Sequence, residues 1–186
     1  SLDLEHYNIA FIGRFVPVKR TDVFYEIAKK VISMDSASTI HFHMMGDGPL
    51  FNEIERKVSN DKLKCRLHLH GFVQNTAPLL KKMNLLIFTS DHEGLPMTLL
   101  EAMTLRVPVL SRNLSGIRLV LCNAKCGYIL KTDEIQDYAE KIFYIKNNVS
   151  DARSRTDIAR SEIEKTYNIE INVDKYLGLY KSLLVG

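Results

Sequence analysis

The sequence predicts an α/β protein in which helices cover both faces of a doubly wound, mostly parallel β-sheet. Short apolar runs of strand type alternate six times with segments whose apolar residues recur at helical spacing. Several of these runs end in a glycine-containing loop that leads into a helix, as in the connection between parallel strands. Because such crossovers are almost always right-handed, one fold accounts for the whole pattern.

Each predicted element has a local reason. Apolar runs bounded by polar or glycine-containing segments predict the strands, which are residues 8–12, 39–45, 65–70, 84–89, 107–110 and 128–130. Amphipathic periodicity, or a proline suited to the first helical turn, predicts the helices, which are residues 22–33, 49–58, 77–82, 96–105, 136–145 and 169–184. The elements account for most of the chain, without an internal repeat or a low-complexity segment.

The stretch from residue 84 to residue 112 carries the chemistry. It predicts a strand, a polar glycine-containing loop, a helix and a strand, with Glu93 in the loop and Glu101 about one and a half turns into the helix. The helix would direct its first backbone amides, and the positive end of its dipole, at an anion beyond the strand. Carboxylates accept hydrogen bonds from sugar hydroxyls, so this unit suits a phosphate with a sugar beside it.

The motif Glu-x7-Glu within EGLPMTLLEAM resembles the signature of the large family of retaining glycosyltransferases with the two-domain GT-B fold. The resemblance implies that Glu93 contacts the donor sugar and that Glu101 contacts the nucleotide ribose. It also implies that the donor diphosphate is held by the loop and the helix start, at Gly94, Leu95, Met97 and Thr98. His92, beside Glu93, is the one histidine expected to face this cleft. The chain would then form a Rossmann-like half of a GT-B enzyme.

A second motif, FIGRFVPVKR, is similar to the strand and Gly-Arg-x4-Lys loop of the same family. The matching residues are Gly13, Arg14 and Lys19, and the resemblance implies that the two cations clamp the donor diphosphate. A guanidinium binds phosphate oxygens bidentately and an ammonium adds a compact charge, so together they can neutralise a leaving diphosphate without a metal ion. Arg14, Lys19 and Glu93 are therefore the expected catalytic residues. The alternative is that Arg14 and Lys19 are solvated loop cations that bind no ligand.

Two further loops match the family in the same order. The Gly-Asp-Gly-Pro turn that begins at Gly46 resembles a loop of the donor site, although a plain strand-to-helix turn explains its glycines equally well. The Gly-Phe-Val loop after the third strand implies that Phe72 and Val73 lie near the nucleotide base. A role for Phe72 in the hydrophobic core is the alternative.

Three positions depart from the family pattern, which has a glycine, a proline and an acidic residue where this chain has Ser115, Arg118 and Leu119. These departures leave the contacts on the sugar side of the donor open. Arg118 could face the cleft and favour a charged sugar, but exposure to solvent is the preferred interpretation. The loss of the acidic residue at Leu119 favours the alternative of a non-catalytic module with a degenerate site.

Composition limits the other classes of function. With 186 residues, of which 46% are hydrophobic, the chain can bury one sizeable core. A net charge of +3 without a clustered basic stripe argues against a nucleic-acid partner.

Three cysteines without metal-ligand spacing are expected to be buried or inert thiols in a reducing compartment, namely Cys65, Cys122 and Cys126. Two i, i+2 histidine pairs are each expected on one strand face in a structural role rather than at a metal, namely His41 with His43 and His68 with His70.

The ends of the chain suggest a piece of a longer protein. The first residues are polar, lack an initiator methionine and lead directly into a strand, so residues 1–7 are expected to be a linker remnant. Residues 8–186 would form the nucleotide-sugar-binding domain. No apolar run is long enough to cross a membrane, and no signal segment opens the sequence. We expect a cytoplasmic protein that, at full length, lies peripherally at the inner face of the membrane.

The resemblance thus implies the donor-binding domain of a retaining hexosyltransferase. Its substrate would be a nucleotide-sugar, with a UDP-sugar favoured, and neither a cofactor nor a metal would be required. An amino-terminal domain of the same protein would hold a lipid-linked or saccharide acceptor during bacterial surface polysaccharide synthesis, such as O-antigen, lipopolysaccharide or capsule. The domain alone would bind donor and be essentially inactive. A UDP-sugar epimerase of GT-B architecture and a non-catalytic nucleotide-sugar-binding module stay open as alternatives.

Overall fold

The structure, a computed structural model of the chain, describes residues 5–167. Its strands are β1 (Tyr7–Ile12), β2 (Ile40–Met45), β3 (Leu67–Leu69), β4 (Leu85–Phe88), β5 (Val109–Ser111) and β6 (Tyr128–Ile129). Its α-helices are α1 (Thr21–Met34), α2 (Phe51–Asn60), α3 (Ala77–Leu80), α4 (Met97–Thr104), α5 (Ser115–Val120), α6 (Ile135–Asn147) and α7 (Val149–Thr166). A turn of 3-10 helix, Pro17–Lys19, precedes α1.

The six strands form one parallel sheet in the order β3-β2-β1-β4-β5-β6. In the middle of the sheet Ile9 of β1 pairs with Phe42 on one side and with Leu85 on the other. The chain winds outward from β1 in one direction and from β4 in the other. The loops beyond the carboxyl ends of these two strands therefore diverge, and they leave a crevice of the kind that binds ligands in such folds. The predicted doubly wound parallel sheet is confirmed.

Each face of the sheet has its own hydrophobic cluster because successive side chains of a strand point to opposite faces. In β1, Ile9 and Phe11 pack with residues of α1, α2 and α6, whereas Ala10 packs with residues of α3, α4 and α5. The LLIF segment of β4 is buried along its whole length, as expected of a parallel strand covered on both sides.

Helix α7 was not among the elements predicted from the sequence. Its buried residues are all small, namely Ala152, Thr156 and Ala159. They recur at helical spacing, but a pattern of large apolar residues is the usual signal of an amphipathic helix, and most of α7 is polar. Small residues allow α7 to pack closely against α4. The helix predicted at 169–184 lies outside the described residues.

Most element boundaries lie within a few residues of the predicted ones. β1 begins at Tyr7, one residue inside the segment expected to be a linker remnant. α2 begins at Phe51 rather than at Pro49, because the amide of Phe51 first closes a turn onto the carbonyl of Gly48 at 3.0 Å. Of the three thiols, only Cys126 is buried, whereas Cys122 is half-buried and Cys65 is exposed. Among the described residues no helix has the length and apolar character that a membrane span requires.

The predicted histidine pairs lie on one face of β2 and β3 and contact each other across the strands. Nδ1 of His41 lies 3.1 Å from Nε2 of His68, and Nδ1 of His43 lies 3.0 Å from Nε2 of His70. On its other side, Nε2 of His43 lies 2.9 Å from the side-chain oxygen of Asn8. Because an amide oxygen only accepts, Nε2 of His43 carries the proton and Nδ1 accepts from His70. This arrangement suits a neutral His43.

Acid is expected to destabilise the fold through these imidazoles. Burial, and then the neighbouring imidazoles, lowers the pKa of His43 to about 3, and burial is the first cause that lowers the pKa of His68 and of His70. Above pH 6.5, the ordinary pKa, neither state binds these protons. As the pH falls below that value, the unfolded chain takes up protons that the folded chain excludes. The free energy of unfolding then drops by up to about 1.4 kcal/mol per pH unit for each group.

Urea unfolding at pH values from 7 to 5 measures this effect. The variant His43→Gln keeps a donor for Asn8 and an acceptor for His70 but has no proton to gain, so its stability should depend less steeply on pH. Equal slopes for the variant and the unmodified chain would contradict the explanation.

Candidate functional site

A candidate site lies beyond the carboxyl ends of β1, β2 and β3. It is a cavity of about 470 Å³. Five of the residues predicted to bind the donor line it, namely Gly13, Arg14, Gly46, Phe72 and Val73. The other lining residues were not predicted, and they are Ile12, Met45, Asp47, Gly48 and Thr76. The structure therefore brings three predicted loops, which are far apart in the sequence, to one cavity.

Backbone contacts between the first two loops determine the shape of the cavity. The amide of Gly13 donates to the carbonyl of Met45 at 3.0 Å, and the amide of Gly46 donates to the carbonyl of Gly71 at 2.8 Å. Gly46 has φ +143°, and a Cβ at this position would lie 1.9 Å from the carbonyl oxygen of Gly13. Only glycine tolerates both this backbone angle and this approach. The glycine turn thus lies at the cavity itself, in addition to connecting β2 to α2.

An ion pair stands beside the cavity. Nζ of Lys19 lies 2.6 Å from Oε1 of Glu93, and the hydroxyl of Ser90 donates to the same oxygen at 2.6 Å. The Glu93 side chain is 8% exposed and that of Lys19 is 26% exposed, so the pair is partly shielded from water. The methylenes of Lys19 lie next to Gly13, because a Cβ at Gly13 would be 3.7 Å from Cδ of Lys19. The Lys19 side chain therefore passes beside Gly13, which lines the cavity, to reach Glu93.

Arg14 differs from Lys19 because its charge is not paired with a carboxylate among the described residues. It is exposed, it lines the cavity, and within residues 5–167 it makes no ion pair. An ammonium has three N–H donors, so Lys19 can retain Glu93 and still donate to an anion. One free cation at the cavity and one partly engaged cation beside it suit a ligand with more than one negative charge.

Glu101 approaches the cavity from the side of α4. Its Oε2 lies 3.5 Å from the hydroxyl of Thr76, which is one of the cavity residues. α4 begins at Met97 after an extended Pro96, and no side chain caps its first amides. The amides of Met97 and Thr98 are thus open to an anion at the positive end of the helix.

Several predicted residues of the central loop do not line the cavity. They are His92, Glu93, Gly94, Leu95, Met97 and Thr98, and the predicted residues Lys19 and Glu101 do not line it either. Leu95 is 51% exposed and Met97 is 65% exposed. Phe72 is 77% exposed at the mouth of the cavity, so its alternative role as a core residue is wrong. The central loop and the loop of Phe72 are exposed for the same physical reason. Both project beyond the edge of the sheet, where the hydrophobic clusters end.

Helix α5 supports the loop that carries Glu93. A Cβ at Gly116 would lie 2.2 Å from the carbonyl oxygen of Gly94 and 2.7 Å from that of Glu93. The first turn of α5 therefore packs directly on the loop backbone. Of the positions that depart from the family pattern, Arg118 is exposed, as preferred, and Leu119 is 72% exposed.

Sequence reasoning missed Thr76, Asp47 and Ser90. Asp47 lies inside the Gly-Asp-Gly-Pro turn, so the motif could have indicated it. Ser90 and Thr76 carry no motif of their own, and their contacts with carboxylates arise from the fold. Within residues 5–167 no three histidine, cysteine, aspartate or glutamate side chains are grouped so that they could hold a metal ion.

Two curated relatives cover the chain almost completely. It is 30% identical over 175 residues to a poly(ribitol-phosphate) alpha-N-acetylglucosaminyltransferase of Staphylococcus aureus, a match that covers 94% of this chain and 35% of the relative. It is 28% identical over 188 residues to a UDP-Gal:alpha-D-GlcNAc-diphosphoundecaprenol alpha-1,3-galactosyltransferase of Escherichia coli, a match that covers 100% of this chain and 48% of the relative. The chain thus spans less than half the length of these relatives.

Solved structures share the fold. A structure of S. aureus TarM containing UDP superposes with a TM-score of 0.85 at 28% identity and covers 95% of this chain and 36% of that one. Anabaena HepE, also solved with UDP, superposes with a TM-score of 0.81 at 16% identity, covering 96% of this chain and 49% of that one. The neighbours are GT-B glycosyltransferase domains, and the family model described as glycosyl transferases group 1 matches residues 2–162. The chain therefore belongs to the glycosyl transferases group 1 family.

Proposed function

We propose that the chain is the donor-binding half of a retaining glycosyltransferase and that its donor is a UDP-sugar. The observation that carries the proposal is the cavity in which the unpaired Arg14 lies near the Lys19–Glu93 pair. Cations suit the diphosphate, and a carboxylate beside them suits the hydroxyls of the attached sugar.

The diphosphate would lie between Arg14, Lys19 and the amides at the start of α4. During transfer the bond between the anomeric carbon and the phosphate oxygen breaks, and its electron pair stays on the diphosphate. Cations and amide dipoles placed at the leaving oxygen stabilise that charge most where it is greatest, in the transition state. Glu93 would orient the sugar by accepting hydrogen bonds from its hydroxyls. The acceptor hydroxyl would form its bond on the face that the diphosphate leaves.

The nucleoside would occupy the rest of the cavity. Phe72 and Val73 line the cavity and would contact the base, and Glu101, which lies 3.5 Å from the hydroxyl of Thr76, would accept hydrogen bonds from the ribose hydroxyls. The choice of uracil is supported by the UDP bound in the TarM structure and by the UDP-Gal in the name of the E. coli relative. No metal is needed in this scheme, because the cations and helix dipole neutralise the diphosphate.

The names of the relatives suggest the wider role. They include enzymes acting on poly(ribitol-phosphate) and on a diphosphoundecaprenol-linked sugar, and a Vi polysaccharide biosynthesis protein of Salmonella typhi. By analogy, the acceptor of this protein would be a saccharide or a lipid-linked saccharide in surface polysaccharide assembly on the cytoplasmic side of the membrane. Because the chain spans less than half of these relatives, the acceptor would be held by the amino-terminal half of the same protein.

Calorimetric titration with UDP, GDP and ADP, each in the presence of EDTA, tests the proposal. We expect saturable binding of UDP, and we expect Arg14→Ala to weaken it tenfold to hundredfold, since each charge-assisted hydrogen bond is worth about 1.5–3 kcal/mol. Arg56→Ala, which removes an exposed arginine of α2, is the matched control and should leave the affinity unchanged. UDP binding that survives Arg14→Ala unaltered would remove the central support for the proposal.

Turnover of the full-length protein distinguishes a transferase from the two alternatives, which are an epimerase and a non-catalytic binding module. A transferase releases UDP only when an acceptor is present, apart from slow hydrolysis, whereas an epimerase changes the donor sugar without any acceptor. A binding module leaves the donor unchanged in both cases.

A further inference from the structure

Asp91 joins the loop that carries Glu93 to its two neighbouring loops. One of its carboxylate oxygens accepts from Arg20 at 3.1 Å and from Arg112 at 2.6 Å. Its backbone amide donates to the carbonyl of Val18 at 2.8 Å. Arg20 lies between β1 and α1, and Arg112 follows β5, so the Asp91 carboxylate connects the loops on both sides of its own.

Each of the two arginines has a second carboxylate partner. Arg20 also pairs with Asp22 of α1 at 3.2 Å, and Arg112 also pairs with Asp133 between β6 and α6. The result is a row of alternating charges across four loops at the carboxyl edge of the sheet, with Asp91 at its centre. Removing Asp91 leaves two neighbouring arginines with no carboxylate between them, whereas removing Asp22 or Asp133 leaves the Asp91 links intact.

The loop has few other side-chain ties to this edge. The hydroxyl of Thr89 donates to the carbonyl of Lys19 at 2.9 Å, and Ser90 and Lys19 both contact Glu93 itself. On the β5 side, the described side-chain link is that between Asp91 and Arg112. Asp91 stands two residues before Glu93, so its orientation sets the direction in which the chain approaches that carboxylate.

We infer that Asp91 is a positioning residue, which fixes the loop so that Glu93 is held toward the sugar of the donor. The inference rests on the proposed function for the role of Glu93. Asp91 is 47% exposed, and solvent-exposed ion pairs contribute little to overall stability. Its loss should therefore loosen the loop without unfolding the domain. The contact affected first is the one that Glu93 makes with the sugar, whereas Arg14 of the nucleotide clamp lies on the loop after β1.

The ratio of affinities for UDP-GlcNAc and for UDP isolates that contact, because only the first ligand carries a sugar. Asp91→Ala is expected to reduce the preference for UDP-GlcNAc over UDP by about threefold to tenfold, while the affinity for UDP itself stays near that of the unmodified chain. Asp22→Ala removes a carboxylate from the same arginine, Arg20, and is the matched control, expected to leave the ratio unchanged. An equal effect of the two substitutions, or no effect of Asp91→Ala, would overturn the inference.

A double-variant comparison tests whether Asp91 acts through Glu93. Once Glu93→Gln has removed the carboxylate, adding Asp91→Ala should change the ratio no further. Additive effects would mean that Asp91 acts independently of Glu93, and the inference would fail.

Amide hydrogen exchange of the 90–96 segment tests, without a ligand, whether Asp91 fixes the loop that carries Glu93. Asp91→Ala should speed exchange in this segment and Asp22→Ala should not, because only the first removes the side-chain links of the loop to Arg20 and Arg112. Unchanged exchange in Asp91→Ala would refute the positioning role even if UDP binding were intact. Absence of UDP binding to the unmodified chain would instead count against the proposed function, with the exchange result still deciding for or against Asp91.

Discussion

Replacing Gly46 by alanine is expected to abolish measurable UDP binding and to lower the stability of the domain. The added Cβ would lie 1.9 Å from the carbonyl oxygen of Gly13 and 2.9 Å from its carbonyl carbon, far inside contact distance. Both partners are backbone, so no side chain can rotate away to relieve the overlap. A backbone angle of φ +143° is also unfavourable for alanine. The two loops must separate, and the shape of the cavity is lost with them.

We expect the cost to the free energy of unfolding to be about 2–4 kcal/mol, from backbone strain and displaced packing together. Thermal unfolding and calorimetry with UDP measure the two effects. Gly13→Ala is the matched control for stability, since a Cβ at this partner position meets its nearest neighbours at 3.6 Å and 3.7 Å, an ordinary contact. If Gly46→Ala retained the melting temperature and the UDP affinity of the unmodified chain, the two loops could not be as close as described.

Replacing Lys19 by methionine is expected to weaken UDP binding on the order of a hundredfold, at the upper end of the range expected for the loss of one cation. The substitution removes a donor to the diphosphate, and it also removes the partner that Glu93 holds at 2.6 Å. The Glu93 carboxylate, only 8% exposed, would then face the bound diphosphate without a compensating charge. Like charges in a partly shielded site repel strongly.

The double variant Lys19→Met with Glu93→Gln distinguishes these two contributions. Removing the uncompensated carboxylate should recover about tenfold of the lost UDP affinity, so that the double variant binds UDP better than Lys19→Met alone. Lys57→Met is the control, because Lys57 forms a similar pair with Glu53 at 2.8 Å on the exposed side of α2. No recovery in the double variant would mean that the Glu93 carboxylate does not face the diphosphate.

The elements that the sequence predicted well are those with a local signal. The LLIF run of β4 is apolar without interruption, and α1 repeats large apolar residues at helical spacing, so neighbouring residues alone reveal both. α7 shows where such reasoning stops. It buries only Ala152, Thr156 and Ala159, whose small side chains matter because α4 lies against them. That contact depends on the fold and is not visible in the segment itself.

The candidate site also combines residues that the sequence predicted with contacts that only the structure reveals. The two motifs and the family that they resemble led us to predict Arg14, Lys19, Glu93 and Glu101 as donor-binding residues. The sequence did not indicate that Lys19 is paired with Glu93, that Thr76 contacts Glu101, or that Phe72 is exposed rather than buried.

By itself, the sequence determined the alternation of strands and helices, the residue types at the ends of the strands and the family to which they point. Only the tertiary structure decided which of those residues meet. Lys19 and Glu93 are 74 positions apart, and Asp91 and Arg112 are 21 apart, so their contacts exist only because β1, β4 and β5 are neighbours in one parallel sheet. A local pattern reports how a segment buries its own side chains. The charge pairs of the site arise from the order of the strands, which brings separate loops to one edge of the sheet.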